Sequence, residues 1–203
     1  MYDNITGVIL AGGKSSRMEI NKSFLKLGNQ TIIEKIVNLM KSLFKKVIII
    51  TNSPEEYRFL QSPFYEDVYK WKGPLSGIHS ALIHSTTEKV FVISCDVPLM
   101  SAEMIKYIVD YKSSKPVKFC EAAGYYQTLV RVYSKSLITE IEKVIGNEQI
   151  KDRSIHQFLK NIDAEIIHPQ ELSFYKDEVF YNVNKPEDYE MVLVNFEKKV
   201  NMQ

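Results

Sequence analysis

The feature that most limits the fold is a series of short apolar runs separated by stretches of helical period. Ile5–Leu10, Val47–Ile50 and Val90–Ser94 are largely apolar with no alternation, so each predicts a strand buried on both faces. Between the first two, Ile32, Ile33, Ile36, Val37, Leu39, Met40 and Leu43 recur at helical spacing behind a Thr31–Glu34 capping-box pair. Ser76–His84 and Ser101–Val109 predict two further helices. Strand alternating with helix predicts βαβ units: a mostly parallel sheet with helices on both faces, a three-layer αβα sandwich.

The pattern loosens after residue 112. Val117–Glu121 and Leu129–Tyr133 predict two strands joined by a loop over Ala122–Thr128. Helical patterns follow at Ser136–Val144 and Ser154–Lys160, then a last strand at Phe180–Val183 and a final helix opened by Pro186. There is no internal repeat, low-complexity tract or linker, so the 203 residues are expected to form one domain over 1–203.

Charge narrows the function. With 26 basic and 25 acidic residues the net charge is +1, and no global field favours nucleic acid or an anionic membrane. No apolar run is long enough to span a bilayer and no signal peptide is apparent, so a cytoplasmic location is expected. Cys95 and Cys120 lack metal-ligand spacing and read as free thiols. His79, His84, His156 and His168 stand outside every motif described below.

The stretch Val8-Ile-Leu-Ala-Gly-Gly-Lys-Ser-Ser-Arg-Met18 runs from the first strand into two glycines and a basic cluster. It misses the P-loop pattern, because the nearest upstream glycine, Gly7, lies one residue early and Val8–Ala11 are strand-like. The chemistry of a phosphate cradle remains. Ligands of parallel sheets bind beyond the carboxyl ends of the strands, where Gly12 and Gly13 fall. Glycines admit close backbone approach, and successive N–H groups can form an anion nest. Ser15, Ser16, Arg17 and Lys22 add donors and charge. A glycine-rich turn with a solvated basic face is the alternative.

Leu10-Ala11-Gly12-Gly13-x-Ser15-x-Arg17-Met18, with Lys22 shortly after, resembles the signature loop of nucleotidyltransferases. It is most similar to the molybdenum cofactor guanylyltransferases, the MobA family. The resemblance continues at Thr51-Asn52, at Asp67 with Gly73-Pro74-Leu75-Ser76-Gly77-Ile78, and at Ser94-Cys95-Asp96-Val97-Pro98. It ends at Asn182-Val183-Asn184-Lys185-Pro186-Glu187-Asp188. The chain departs from the family pattern at Glu19, Thr128 and Lys185, the family usually having glycine, proline and threonine there.

The resemblance implies a Rossmann-like sheet of the nucleotide-diphospho-sugar transferase type and transfer of GMP from GTP to molybdopterin. It implies nucleotide binding over about 5–110 and acceptor binding over about 111–196. Leu10, Ala11, Gly12, Gly13 and Lys22 would line the nucleotide, with Arg17 and Lys22 neutralising its triphosphate. Asn52 would lie near the guanine base, Asp67 would bind GTP, Gly77 would lie in the helix start against the nucleotide, and Asn182 and Asn184 would lie near the acceptor. Asp96, with Asn184, would hold Mg²⁺, making Arg17, Lys22 and Asp96 the catalytic set. Gln127 is a candidate acceptor contact, and other cofactor-pathway proteins are potential partners. A cytidylyltransferase of the same fold, acting on molybdopterin or on a sugar or polyol phosphate, and a non-catalytic nucleotide-binding accessory protein are the alternatives.

Overall fold

A computed structural model of the chain describes residues 1–12, 21–70 and 72–201. Its strands are β1 (Ile5–Leu10), β2 (Lys26–Leu27), β3 (Gln30–Thr31), β4 (Val47–Ile50), β5 (Phe64–Tyr65), β6 (Lys89–Ser94), β7 (Val117–Ala122), β8 (Tyr125–Ser134) and β9 (Ala164–Ile167). Its helices are α1 (Ile32–Leu43), α2 (Pro54–Tyr57), α3 (Pro74–His84), α4 (Ala102–Asp110), α5 (Ile138–Gly146), α6 (Ile155–Leu159) and α7 (Pro186–Asn201).

Among the described residues, seven strands form one sheet in the order β5-β4-β1-β6-β8-β7-β9, and β2 and β3 make a separate hairpin. Only β8 runs against its neighbours in the main sheet, pairing antiparallel with β6 and β7. The sheet is therefore mixed and mostly parallel, as the apolar runs predict.

Two apolar layers explain why those runs do not alternate. Ile5, Ile9, Ile49, Phe91, Ile93, Val130 and Val132 face one layer with residues of α1, α4 and α7. Val8, Ile48, Ile50, Val90, Val92 and Tyr133 face the other with residues of α3, α5 and α6. Each strand residue thus has an apolar destination on either side. Helix starts also agree with the sequence. Thr31 and Glu34 form a reciprocal capping box at α1, and Ser101 accepts the Met104 N–H at α4.

Three expectations are corrected. Phe180–Val183 is not a strand: Asp177–Phe180 is a 3₁₀ turn and the following residues are irregular. Its buried residues Val179, Phe180 and Val183 lack a two-residue period, and both edges of β6 are already occupied by β1 and β8. The predicted loop Ala122–Thr128 is mostly hairpin. Its turn is Ala123–Gly124 with φ of 53° and 77°, the left-handed pair that a two-residue connection requires. The sequence reading also omits the short elements β2, β3, β5, α2 and β9, of which β5 and β9 are the two edges of the main sheet.

Lys118 gives the fold a titration. It lies buried, its Nζ donating to the carbonyls of Val109 (2.6 Å) and Tyr111 (2.7 Å) at the end of α4. Burial lowers its pKa to about 8. Between that value and the ordinary lysine range the unfolded chain holds a proton that the folded chain does not, so stability rises with pH across this window. Compared with Lys118→Met, the wild-type chain should gain up to about 1.4 kcal/mol per pH unit there. Parallel urea titrations of the two proteins from pH 7 to 10.5 check this.

Candidate active site

The carboxyl ends of β1, β4 and β6 meet at one sheet edge. The Ala11 N–H donates to the Ile50 carbonyl (2.9 Å) and the Cys95 N–H to the Leu10 carbonyl (3.1 Å), tying the three strand ends together. Ala11 is buried, and its N–H is taken by β4. A Cβ added to exposed Gly12 would lie 3.8 Å from the Asn52 nitrogen and the Thr51 Cα, which places this backbone over the end of β4.

Asn52 and Asp67 interlock. The Asn52 Nδ2 donates to Asp67 Oδ2 (2.8 Å), and the Asp67 N–H donates back to Asn52 Oδ1 (3.1 Å). Burial pushes the Asp67 carboxyl up, while Asn52 and Lys70 act in the opposite direction. Gly77, in the first turns of α3, closes the group: its added Cβ would stand 3.4 Å from Leu10 Cδ2 and 3.8 Å from Asp67 Oδ1. Leu10, Gly12, Asn52, Asp67 and Gly77 therefore converge, although they come from distant parts of the sequence. Gly73 caps α3 with φ of 88°, a left-handed conformation that suits glycine, and Pro74 opens the helix.

Asp96 lies just past β6. Its Oδ1 is buried with no hydrogen-bond partner, and so is Asn182 Oδ1. The Val183 N–H donates to the Asp96 carbonyl (2.9 Å), which brings the Asn182–Asn184 segment to this edge without a strand. Burial raises the Asp96 pKa, opposed by Ser94, by its own backbone and by the Lys22 ammonium. Lys22 begins a 3₁₀ turn, Lys22–Phe24, capped by Asn21. The Asn21 Nδ2 is anchored to Glu56 (2.8 Å) and Tyr57 (3.0 Å).

Two unpartnered carboxylate and amide oxygens suit a hard cation better than a hydrogen-bond network, so Asp96 and its surroundings fit Mg²⁺. Among the described residues no three His, Cys, Asp or Glu side chains converge on one point. Any such ion would draw most of its ligands from substrate phosphates and water.

Other expected residues fall elsewhere. Gly13, Arg17 and Glu19 lie outside the described residues. Asn184 is exposed and its N–H donates to Asp188 Oδ2 (2.8 Å), whereas Asn182 is partly buried. With no strand over Phe180–Val183, two-residue alternation does not place their amides on one side. Gln127 is buried and its Nε2 donates to the Ala122 carbonyl (2.7 Å), so its amide braces the hairpin. The Cys95 thiol is pushed up to about 12 by burial first and Asp96 second, which keeps it protonated and poorly nucleophilic.

Arg131 escaped the sequence reading. It is 1% exposed, its guanidinium lies 4.1 Å over the Phe119 ring, and its Nε donates to the Gln127 carbonyl (3.1 Å). Its two terminal nitrogens are buried, and the buried Tyr133 hydroxyl is its electrostatic partner. The available signal was an arginine at an inward position of the apolar run Leu129-Val-Arg-Val-Tyr133.

The family model described as "MobA-like NTP transferase domain" matches residues 7–165. A Carboxydothermus hydrogenoformans protein named "Probable molybdenum cofactor guanylyltransferase" is 35% identical over 198 residues, covering 97% of this chain and 98% of that one. A Syntrophotalea carbinolica protein named "Molybdenum cofactor guanylyltransferase" is 31% identical, covering 91% and 89%. A crystal structure from Aquifex aeolicus, at 32% identity, superposes with a TM-score of 0.74 over 89% of this chain and 93% of that one. The Archaeoglobus fulgidus molybdopterin-guanine dinucleotide biosynthesis protein A, at 20% identity, shares the fold with a TM-score of 0.79 over 98% and 100%.

Proposed function

The chain belongs to the MobA-like NTP transferase domain family, and on that premise we propose that it transfers GMP from GTP to molybdopterin or its molybdenum-loaded form. The products are the guanine dinucleotide cofactor and pyrophosphate. The observation that carries this reading is the single sheet edge at which Gly12, Asn52, Asp67 and Gly77 converge. Asp96 stands at the neighbouring strand end with an unpartnered oxygen.

The acceptor's terminal phosphate oxygen attacks the α-phosphorus of GTP, and the bond from that phosphorus to the β-phosphate oxygen breaks to release pyrophosphate. A phosphate monoester is already anionic at neutral pH, so no side chain need act as general base. Catalysis then rests on positioning and charge. Lys22, with Arg17, offsets charge on the β- and γ-phosphates and the departing pyrophosphate. Gly12 and Gly13 bring backbone donors close to the phosphates. Asp96 is the principal residue that would hold Mg²⁺, with Asn184 as a second and the buried Asn182 oxygen as its competitor for that role. The ion would supply charge neutralisation at the phosphates. The acceptor occupies the 111–196 half of the chain.

Asp67 accounts for base choice. Guanine presents adjacent N1–H and N2–H donors, and a carboxylate oriented by Asn52 is a matched pair of acceptors. Cytosine and adenine place an acceptor where guanine has N1–H, against which an acceptor-only group is unfavourable. Rates with GTP, CTP, ATP and UTP and a molybdopterin acceptor test the reading. GTP should be preferred, and preference for CTP would replace it with a cytidylyltransferase. Asp67→Asn should reduce discrimination for GTP over ATP by about 1–3 kcal/mol, read as the ratio of kcat/KM values.

A further inference from the structure

A lysine carries its charge on a long, rotatable stem, so where Lys22 can put its ammonium depends on what fixes its backbone. The residues on either side of it, Asn21 and Ser23, both end on one side chain of α2, Tyr57. The Asn21 Nδ2 donates to the Tyr57 hydroxyl oxygen (3.0 Å), and the Ser23 Oγ donates to Asn21 Oδ1 (2.7 Å). The Ser23 and Tyr57 hydroxyls lie 3.1 Å apart. Ser23 has already given its proton to Asn21, so the phenol supplies the proton of this third contact. The three side chains thus close a ring of hydrogen bonds around the Lys22 backbone.

Ser23 and Tyr57 are both buried, and the Phe24 ring stacks on the Tyr57 ring with centroids 5.4 Å apart at 29°. A dry, fully satisfied network of this kind is rigid. The Ser23 N–H also donates to Asn21 Oδ1 (3.2 Å), which ties the turn across Lys22 itself. Tyr57 in turn has a fixed base. Its helix begins at Pro54, two residues after Asn52, and the Ser53 N–H donates to the Thr51 Oγ1 (3.2 Å) at the end of β4. From this anchor the Lys22 ammonium acts on both the Cys95 thiol and the Asp96 carboxyl, which puts its charge at the end of β6.

We propose that Tyr57 is a positioning residue for Lys22: its hydroxyl closes the ring that fixes the Lys22 turn, and so sets where the ammonium meets the β- and γ-phosphates. Buried beneath the turn, Tyr57 acts through Lys22 and not on the substrate. This rests on the guanylyl-transfer reading for the identity of the nucleotide, but nucleotide binding is measured apart from transfer.

The test is Tyr57→Phe in the full chain, which removes the hydroxyl and keeps the ring. Asn21 Nδ2 retains Glu56 (2.8 Å) and Ser23 retains Asn21, so neither polar group is left bare. In calorimetric titrations with Mg²⁺ the variant should bind GTP roughly 2- to 13-fold more weakly than wild type, the scale of one hydrogen bond. GMP, which lacks the β- and γ-phosphates, should keep its wild-type Kd. In the transfer assay kcat/KM for GTP should fall by a similar factor, with KM for molybdopterin unchanged. With Lys22→Ala already in place, Tyr57→Phe should change none of these constants. Ser23→Ala, which cuts the ring at another point, should behave like Tyr57→Phe and carries the test if that variant melts early. Wild-type GTP constants in both variants, equal weakening of GTP and GMP, or an undiminished effect on the Lys22→Ala background would overturn the role. A wild type that binds GTP but transfers no GMP contradicts the guanylyl-transfer reading and leaves the titrations to decide for Tyr57. A wild type that does not bind GTP overturns both.

Discussion

Asp96→Ala will lower the rate of guanylyl transfer roughly a hundredfold or more, the scale of losing one preorganised electrostatic contact, without loss of stability. The two halves of this expectation have one origin. The Asp96 carboxyl is held largely out of water with one oxygen unpartnered, and burial is the leading cause of its raised pKa. Such a group is costly to the fold unless a ligand compensates it. Alanine removes the cost together with the function, so the melting temperature should hold or rise. Initial rates of pyrophosphate release and a thermal melt on the same preparation check both. Turnover close to wild type would remove Asp96 from the catalytic set, and a large fall in melting temperature would make it a structural residue.

Gly7→Val should produce the largest loss of stability. Gly7 sits in β1, which is paired on both sides by β4 and β6. A Cβ there would come within 2.8 Å of both Met40 Cε and Phe44 Cδ2. Met40 can yield, but Phe44 is buried and stacked on Phe91 at 5.5 Å. Overpacking of this kind costs typically about 1–3 kcal/mol, and valine adds two methyl groups to the clash. A matching drop in the free energy from urea unfolding is expected, with a smaller one for Gly7→Ala. An unchanged urea midpoint would mean that α1 does not rest on β1 as described. The consequence reaches function, because the same strand leads into Gly12.

The central strands were legible because burial on both faces leaves an unmistakable apolar run, as at Val47–Ile50. Thr31, Ser101 and Pro74 marked helix starts through local chemistry that does not depend on tertiary context. The hairpin tip was hidden because Ala123–Gly124 is not one of the dipeptides that announce a tight turn, although Tyr125 and Tyr126 favour a strand. The segment around Val183 misled for the opposite reason. Its apolar residues suggest a strand, but an apolar residue can be buried by one backbone contact to Asp96 without joining a ladder.

The site shows the same division. Gly12, Asn52, Gly77 and Asp96 could be placed from motif order, since each follows a strand or opens a helix at the same sheet edge. The Asn52–Asp67 interlock could not, because the partners stand 15 positions apart with α2 and β5 between them. Asn182 and Asn184 looked equivalent in sequence, yet only Asn182 has a buried, unpartnered oxygen. Arg131 carried no motif, and its burial depends on Phe119, which the fold brings to it.

The most direct measurement is GTP-dependent pyrophosphate release by the purified chain with Mg²⁺, with and without molybdopterin. The account predicts rapid release only when the acceptor is present, with GMP recovered in a dinucleotide and CTP a poor substitute. Binding of GTP with no acceptor-dependent release of pyrophosphate would contradict it and leave a nucleotide-binding accessory protein in its place.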